Sequence, residues 1–363
     1  MLTKRAHSCA KAGPGRDRIT TANGIHRMVS SSAADRAGRE AAIIANGAWR
    51  NGRNAIVASP RALFIVAMTL VAAHASAQDV AITPQLRAGD EFRLEVTRIR
   101  ENSARPQQNN KGRTVVDVRV VSATPEGVVL DWKPGATALD NPQAAQDPTV
   151  AAASEIVRDM VFRLTLNADG EITGLANQAE IAPKLQAMLD RVVQDLSARL
   201  PAEQRKGLQT LIGQVLSPPA LISSAIREAE IYFGLNGVSL AAGEAVEVDL
   251  EQPNPLGGGV IPAKFRVDME SATKDSASIK TTTTYDPAAL IRMTQSLAEQ
   301  AGKPIPPEEL AAIPPLKMND DATYLFDRTV GLMREVSANR LVSAGDMRRY
   351  DGWRIRLLSG PKR

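Results

Sequence analysis

The residue types that carry most nucleophilic and metal chemistry are scarce in this chain and unevenly placed. His7, His26, His74 and Cys9 are the only histidines and the only cysteine in 363 residues. All four precede Gln78, so the 286 residues from there onward hold no imidazole and no thiol. That stretch therefore cannot perform Ser-His-Asp or Cys-His catalysis, ligate metal or haem through His or thiolate, or build a disulfide framework. Carboxylate, Ser-Lys, Tyr and oxygen-ligand chemistry remain.

Each motif that could carry such chemistry falls short of its requirements. Asn167-Ala168-Asp169-Gly170 suggests a calcium loop, but alignment on its glycine puts Thr165 at the first ligand position and Ala176 at the twelfth. Both carboxylates are missing, and a tight turn with glycine at positive φ explains the pattern. Gly257-Gly258-Gly259 runs into Val260-Ile261-Pro262 rather than Gly-Lys-Ser/Thr and a helix, so it reads as a hairpin tip, not a phosphate cradle. Ser271-Ala-Thr-Lys274 has the Ser-x-x-Lys spacing but lies at a strand end, where Lys does not face Ser one helical turn on. Glu308-Glu309 and Asp320-Asp321 read as adjacent carboxylates in a solvated loop, whereas working pairs converge across a cleft. Thr281 to Thr284 reads as a strand exposing hydroxyls, and Trp132 and Trp353 as core or cavity-lining. No catalytic residue, metal ligand or cofactor site is assigned.

The reason for separating the first 77 residues is their pattern. Arg61 precedes the uncharged run Ala62 to Ala73, and Ala75-Ser76-Ala77 then leads to Gln78-Asp79. A positive residue, a short apolar core and an Ala-x-Ala site, here Ala75 and Ala77, are the parts of a secretory signal. Twelve residues are too few to span a membrane, which takes roughly 20. The chain is accordingly read as an N-terminal extension over 1–59 and a signal peptide over 60–77. The extension is either a targeting segment or the result of a misplaced start, with Val57 as an alternative initiator. This reading places the protein in the periplasm or outside the cell, with no membrane span after cleavage.

Cleavage also reverses the charge. The first 77 residues hold 11 Lys and Arg against 3 Asp and Glu, so totals of 44 and 40 fall to 33 and 37, and +4 becomes −4. The basic character belongs to the leader, and a nucleic-acid partner is not expected.

The elements that would position a site alternate between strand and helix patterns. Phe92, Leu94 and Val96 alternate with charge, as a half-buried strand does. Thr114–Ser122 and Val128–Trp132 flank Thr124-Pro-Glu-Gly127, a hairpin signal, and 134–148 reads as a polar loop. Val161–Leu166 and Glu171–Leu175 flank the Asn167–Gly170 turn. Ile181, Leu185, Met188, Leu189, Val192, Val193, Leu196 and Leu200 form one helical stripe. Further helices follow from Pro201 and from Ser217-Pro218-Pro219 to about Glu230. Asp286-Pro287 caps a helix to about Ala301, another lies near 149–158, and Lys303–Asp321 reads as a Pro-rich loop.

The second part echoes the first. Ala88-Gly89-Asp90 recurs as Ala242-Gly243-Glu244, Ser122-Ala-Thr124 as Ser271-Ala-Thr273, and the Phe162–Gly170 strand-turn as Tyr324–Gly331, at offsets of 154, 149 and 161. The expected fold is α+β: a large curved antiparallel sheet in two pseudo-repeated halves, 78–235 with a helical insert and 236–363, with helices covering one face.

In Gly89-Asp90, the helical segment 181–230, Gly243-Glu244 and Tyr324-Leu-Phe-Asp327…Gly331-Leu332, the chain resembles a group of exported bacterial β-rich proteins of unknown function, many of them lipoproteins. The lipid-bearing Cys of those relatives is absent. The resemblance implies a cell-envelope role and carries no catalytic residues. The expected function is non-enzymatic, with an amphipathic small molecule or an envelope component as partner. A carboxylate enzyme acting on envelope glycans and a purely structural protein are the alternatives. N-terminal sequencing of protein from the envelope fraction is expected to begin Gln78-Asp79, and recovery of Arg61 to Ala77 on the mature chain overturns the leader reading.

Overall fold

Alternation writes the strands, and turn chemistry divides them. The computed structural model describes residues 79–142, 158, 160–198, 222–223, 225–253, 260–300, 305–306, 308–309 and 314–362. The strands of the first half are β1 (Val80–Ala81), β2 (Glu91–Asn102), β3 (Asn110–Thr124), β4 (Gly127–Leu139), β5 (Phe162–Asn167) and β6 (Ile172–Leu175). Those of the second are β7 (Ser239–Leu240), β8 (Ala245–Pro253), β9 (Val260–Ala272), β10 (Ser276–Tyr285), β11 (Lys317–Asp327), β12 (Leu332–Ala344) and β13 (Met347–Ser359). The helices are α1 (Gln178–Ala198), α2 (Arg227–Tyr232) and α3 (Pro287–Gln300).

Eleven strands form one antiparallel sheet in the order β6-β5-β4-β3-β2-β13-β12-β11-β10-β9-β8, and β1 pairs with β7 as a separate ribbon. The chain runs from the centre of the sheet to one edge, crosses to the other edge, and returns to the centre. There β13 meets β2, with Ile355 opposite Val96 and Asp351 opposite Arg100. The two halves thus share a single sheet.

That sheet cannot be flat. From β5 to β8 is nine strand spacings, about 43 Å at ~4.8 Å each. Yet Asn236 Nδ2 donates to Gly170 O at the β5–β6 turn (2.8 Å), and β8 begins at Ala245. Nine residues span at most about 31 Å. The turns of β5–β6 and β11–β12 meet consecutive residues: a Cβ on Gly170 would lie 2.4 Å from Pro84 Cγ, and one on Gly331 2.7 Å from Gln85 Cβ. Both glycines have positive φ, 86° and 71°, so the backbone and the close approach each exclude a side chain. The sheet is rolled at this end, where the β1–β7 ribbon also sits, and opens toward the β2–β3 and β12–β13 turns.

The inward face is apolar. Phe92, Leu94, Val96, Val116, Val118, Leu130, Trp132, Phe162 and Leu164 of the first half join Val267, Met269, Ile279, Tyr324, Phe326, Val336 and Ile355 of the second in one buried cluster. Ile181, Leu185 and Leu189 of α1 enter the same cluster, so the predicted stripe is core-facing there. The end of α2 and the residue after it tie the halves together. Phe233 packs edge-on to Trp132 at 6.4 Å, and Tyr232 Oη donates to Met333 O at 2.8 Å. The outer face carries cross-strand ion pairs such as Arg93–Asp117, Arg163–Asp131 and Arg356–Glu95. Exposed pairs of this kind contribute only about 0.2–1 kcal/mol each and chiefly keep that face wet.

The three sequence echoes are also structural. Arg87 N donates to Asp90 Oδ2 (2.9 Å) as Ala241 N donates to Glu244 Oε2 (2.8 Å). Gly89 N reaches Val120 O as Gly243 N reaches Met269 O. Thr124 Oγ1 donates to Gly127 O (3.4 Å) as Thr273 Oγ1 donates to Ser276 O (3.3 Å). Asn167 Oδ1 and Asp327 Oδ1 each accept two backbone N–H groups of their turns.

Several local expectations are corrected. The loop expected from residue 134 begins at 140, because β4 continues through Pro134 past a register shift between Thr114 and Val116. A Cβ on Gly135 would stand 2.9 Å from Val115 O, so the backbones approach too closely there for any other residue. The Pro-rich loop ends earlier than expected, since Lys317 already starts β11. Asp320-Asp321 is therefore a strand pair on opposite faces, not a solvated loop. Thr281 and Thr283 are buried rather than exposed, because they share the inward face with Ile279 and Tyr285. The helices expected near 149–158 and from Pro201, and the Gly257–Gly259 tip, lie outside the described residues apart from Arg158. The side chains of Val192 and Leu196 do so as well.

Leu189 is 7% exposed within the main cluster. Leu189→Ala is expected to cost about 2–5 kcal/mol in urea melts. A loss below about 1 kcal/mol would move this face of α1 out of the core and into an open groove.

Candidate functional site

Toward the open end, the inward face stops being apolar along a single transverse line. Continuing the alternation from Val96, Ile355, Val336 and Tyr324 places Arg98 and Arg100 of β2, Trp353, Asp351 and Arg349 of β13, Arg340 of β12 and Asp320 of β11 inward. Arg100 lies opposite Asp351, Asp351 opposite Arg340, Arg340 opposite Asp320 and Asp320 opposite Thr283. Charge of alternating sign thus crosses four strands and ends on the Thr283 hydroxyl of a fifth.

The most enclosed part is built on Asp320. Its Oδ1 accepts from Arg340 Nε (2.7 Å), and its Oδ2 accepts from Tyr285 Oη (2.8 Å) and Arg340 Nη2 (2.5 Å). Arg340 Nη2 also donates to Tyr285 Oη (3.2 Å), and the guanidinium carbon stands 5.9 Å from the ring centroid. The fork on a carboxylate fixes the guanidinium in direction as well as position. The side chains of Arg340 and Asp320 remain 35% and 24% exposed, so the pair is still accessible from outside. The hydrogen bond to Asp320 raises the Arg340 pKa further above the ordinary guanidinium range. Burial raises that of Tyr285, and Asp320 adds to the rise.

Beside it, Asp351 accepts from Arg100 Nε at Oδ1 (3.0 Å) and from Arg349 Nε at Oδ2 (2.8 Å). Arg98 reaches up to Glu228 of α2 at 3.3 Å. Between Arg98 and Ala338 in the register stands Trp353, whose buried Nε1 has no hydrogen-bond partner. On the far side of the line, Ile261, Ala263, Tyr285, Ala289 and Leu290 form a second apolar cluster under α3. Asp286 caps that helix through Oδ1 to Ala288 N (2.9 Å), with Pro287 in its first turn, as its sequence signal predicts. On β10 and β11 the polar line therefore lies between two apolar clusters, which β9 joins through Phe265. A shallow groove of about 440 Å³ lies at the open ends of β2, β3 and β4, lined by Ile99, Arg100, Glu101, Asn110 and Lys111 among others, and so takes in residues of both faces.

The carboxylates singled out in the sequence behave differently from one another. Asp320 joins the line, Asp321 faces outward and accepts from Thr282 Oγ1 (3.2 Å), and Glu308 and Glu309 are exposed. Ser271 and Lys274 sit at the exposed β9–β10 turn, and the Asn167–Gly170 turn is a capped hairpin. Trp132 is 1% exposed and belongs to the core, while Trp353 is partly buried and packs against the same cluster beside the polar line. Tyr285, Arg340, Asp351, Arg98 and Arg100 were not singled out. The signal for them was available, since each occupies an inward position of an otherwise apolar alternation.

No protein-family model matches this chain, and no curated protein does. Among solved structures, one described as "Lipid-protein interactions in lipovitellin" is similar at a TM-score of 0.35 and 6% identity, over 76% of this chain and 26% of that one. This chain spans about a quarter of that one's length. A likeness of that size carries no functional argument.

Tyr285 and Tyr232 are held protonated by burial, so their pKa values are higher folded than unfolded. Stability from such groups is fully present below the ordinary phenol pKa of about 10 and falls as pH rises past it. Urea melts at about pH 9 and about pH 11 are expected to show that fall, and Tyr232→Phe/Tyr285→Phe to flatten it. An equally steep fall in the double variant would assign the effect to other groups.

Proposed function

We propose that the protein is a non-enzymatic, exported component of the cell envelope that binds an amphipathic molecule between the curved sheet and its helices. One observation carries this reading: an apolar inward face is crossed at its open end by a line of charged and hydrogen-bonding side chains, its carboxylates half-buried and its outer guanidinium groups exposed. A wholly structural core gains nothing from such a line, because paired charges taken out of water contribute little net stability and apolar residues of similar size serve as well. A ligand with an apolar body and a polar head uses both parts. Export rests on the leader pattern, and the sheet with its helical cover suits a carrier or sensor in the envelope.

The glycan-acting enzyme is the weaker reading. It needs two carboxylates converging on a substrate, one of them free to give up a proton. Asp320 and Asp351, the acids on the strand-borne inward line, each have both oxygens engaged by neighbouring donors.

Native mass spectrometry of the protein isolated from its own envelope is expected to show a bound species that organic extraction removes and whose mass is that of an amphiphile. A protein that carries nothing and takes up no neutral apolar dye overturns the proposal.

A further inference from the structure

The hydrogen-bonding groups along the inward line do not balance. Asp320 and Asp351 have every carboxylate oxygen engaged. A guanidinium has five N–H donors, and Arg98, Arg100 and Arg349 each reach their carboxylate partners through Nε. Trp353 adds a buried N–H with no partner. The surplus along the line is therefore of donors, next to acceptors already taken. The charges point the same way: four guanidinium groups (Arg98, Arg100, Arg340 and Arg349) face three carboxylates (Glu228, Asp320 and Asp351).

The carboxylates of this group are half-buried and three of its guanidinium groups are exposed, and the ligand that matches its spare donors and its charge accepts hydrogen bonds and brings one negative charge. A neutral alcohol would satisfy the indole and leave the cation unmatched. An ammonium head would add donors to donors and charge to charge.

We propose that the occupant is an anionic amphiphile with a singly charged acid head, held by Trp353 Nε1 and the guanidinium of Arg98 beside it in the register. This rests on the amphiphile reading and adds the chemistry of the head. An unpartnered indole N–H, in register between a cation and a small residue, Ala338, is a donor for which the protein itself supplies no acceptor.

The test uses three chain-matched probes, decanoate, 1-decanol and decyltrimethylammonium. Each displaces neutral N-phenyl-1-naphthylamine from the protein as isolated from its own cells. Decanoate is expected to displace the dye at about one-tenth the concentration of decanol or less, the scale of a hydrogen bond to a charged group. Trp353→Phe keeps the ring and removes the donor, and is expected to lower the decanoate-to-decanol preference several-fold. Arg98→Gln, a change at an exposed guanidinium, is expected to lower it as well, which keeps the test open should the tryptophan variant misfold. Equal displacement by decanoate and decanol, or stronger displacement by the ammonium, overturns the acid head and leaves the amphiphile reading standing. A preference unchanged in both variants overturns the placement at Trp353 and Arg98. Displacement by none of the three overturns the amphiphile reading, and the acid head with it.

Discussion

The demand that shapes this molecule is that one face of an eleven-stranded sheet must be kept from water. Alternation puts Phe92, Leu94, Val96, Val116, Val118, Ile279, Tyr324, Val336 and Ile355 on one side, and that side is far larger than α1 and α2 can cover if the sheet lies flat. Rolling the sheet reduces the surface left to cover, because the inward side chains of each half then face those of the other across the interior. The contacts of Pro84 with Gly170, of Gln85 with Gly331 and of Asn236 with Gly170 O hold the roll shut at one end. Two glycines make this possible, and they stand at equivalent turns in the two halves.

Much of this was legible in the residues, because strand faces and turns are local properties. Period-two alternation placed β2, β5 and their partners, and Gly89-Asp90 and Gly243-Glu244 marked the turns that the two halves repeat. The stripe from Ile181 to Leu189 placed α1 against the core. What the sequence hid was pairing over distance. Asp320 read as loop because the prolines before it dominate its surroundings, while its partners Tyr285 and Arg340 are 35 and 20 residues away. Its alternation with Met318, Ala322 and Tyr324 was the better guide. Thr281 and Thr283 were misplaced for a related reason, since a run of four threonines has no hydropathy contrast and only the flanking Ile279 and Tyr285 reveal which ones point inward. Pro134 misled because a proline in a central strand is ordinarily a stop signal, and it is accommodated by a shift in the facing strand. That Trp353 has no partner is a property of the assembled face alone.

The departures from sequence-level logic gather in one place. Apolar alternation is kept along β2, β11, β12 and β13 until their rows reach the same height, and there all four turn polar together. Positions where local rules give way in concert are where a fold yields stability to something else it does. The line also lies between the main cluster and the smaller one under α3, while on β9 the inward positions stay apolar from Met269 through Phe265 to Ile261.

The place of β13 beside β2 has a consequence in time as well as in space. Arg100 and Asp351 bond across 251 residues, and β13, which fills the middle of the sheet, follows every other described strand in chain order. Until Met347 to Ser359 arrive, β2 has β3 on one side and an unpaired row of peptide groups on the other, a template for wrong partners. Pairing at such separation closes late and slowly, since chain entropy must be overcome before the contacts form. Loss of β13 would open the sheet at its centre rather than trim its edge, so Met347 to Ser359 govern whether β2 and β3 are ever safely buried.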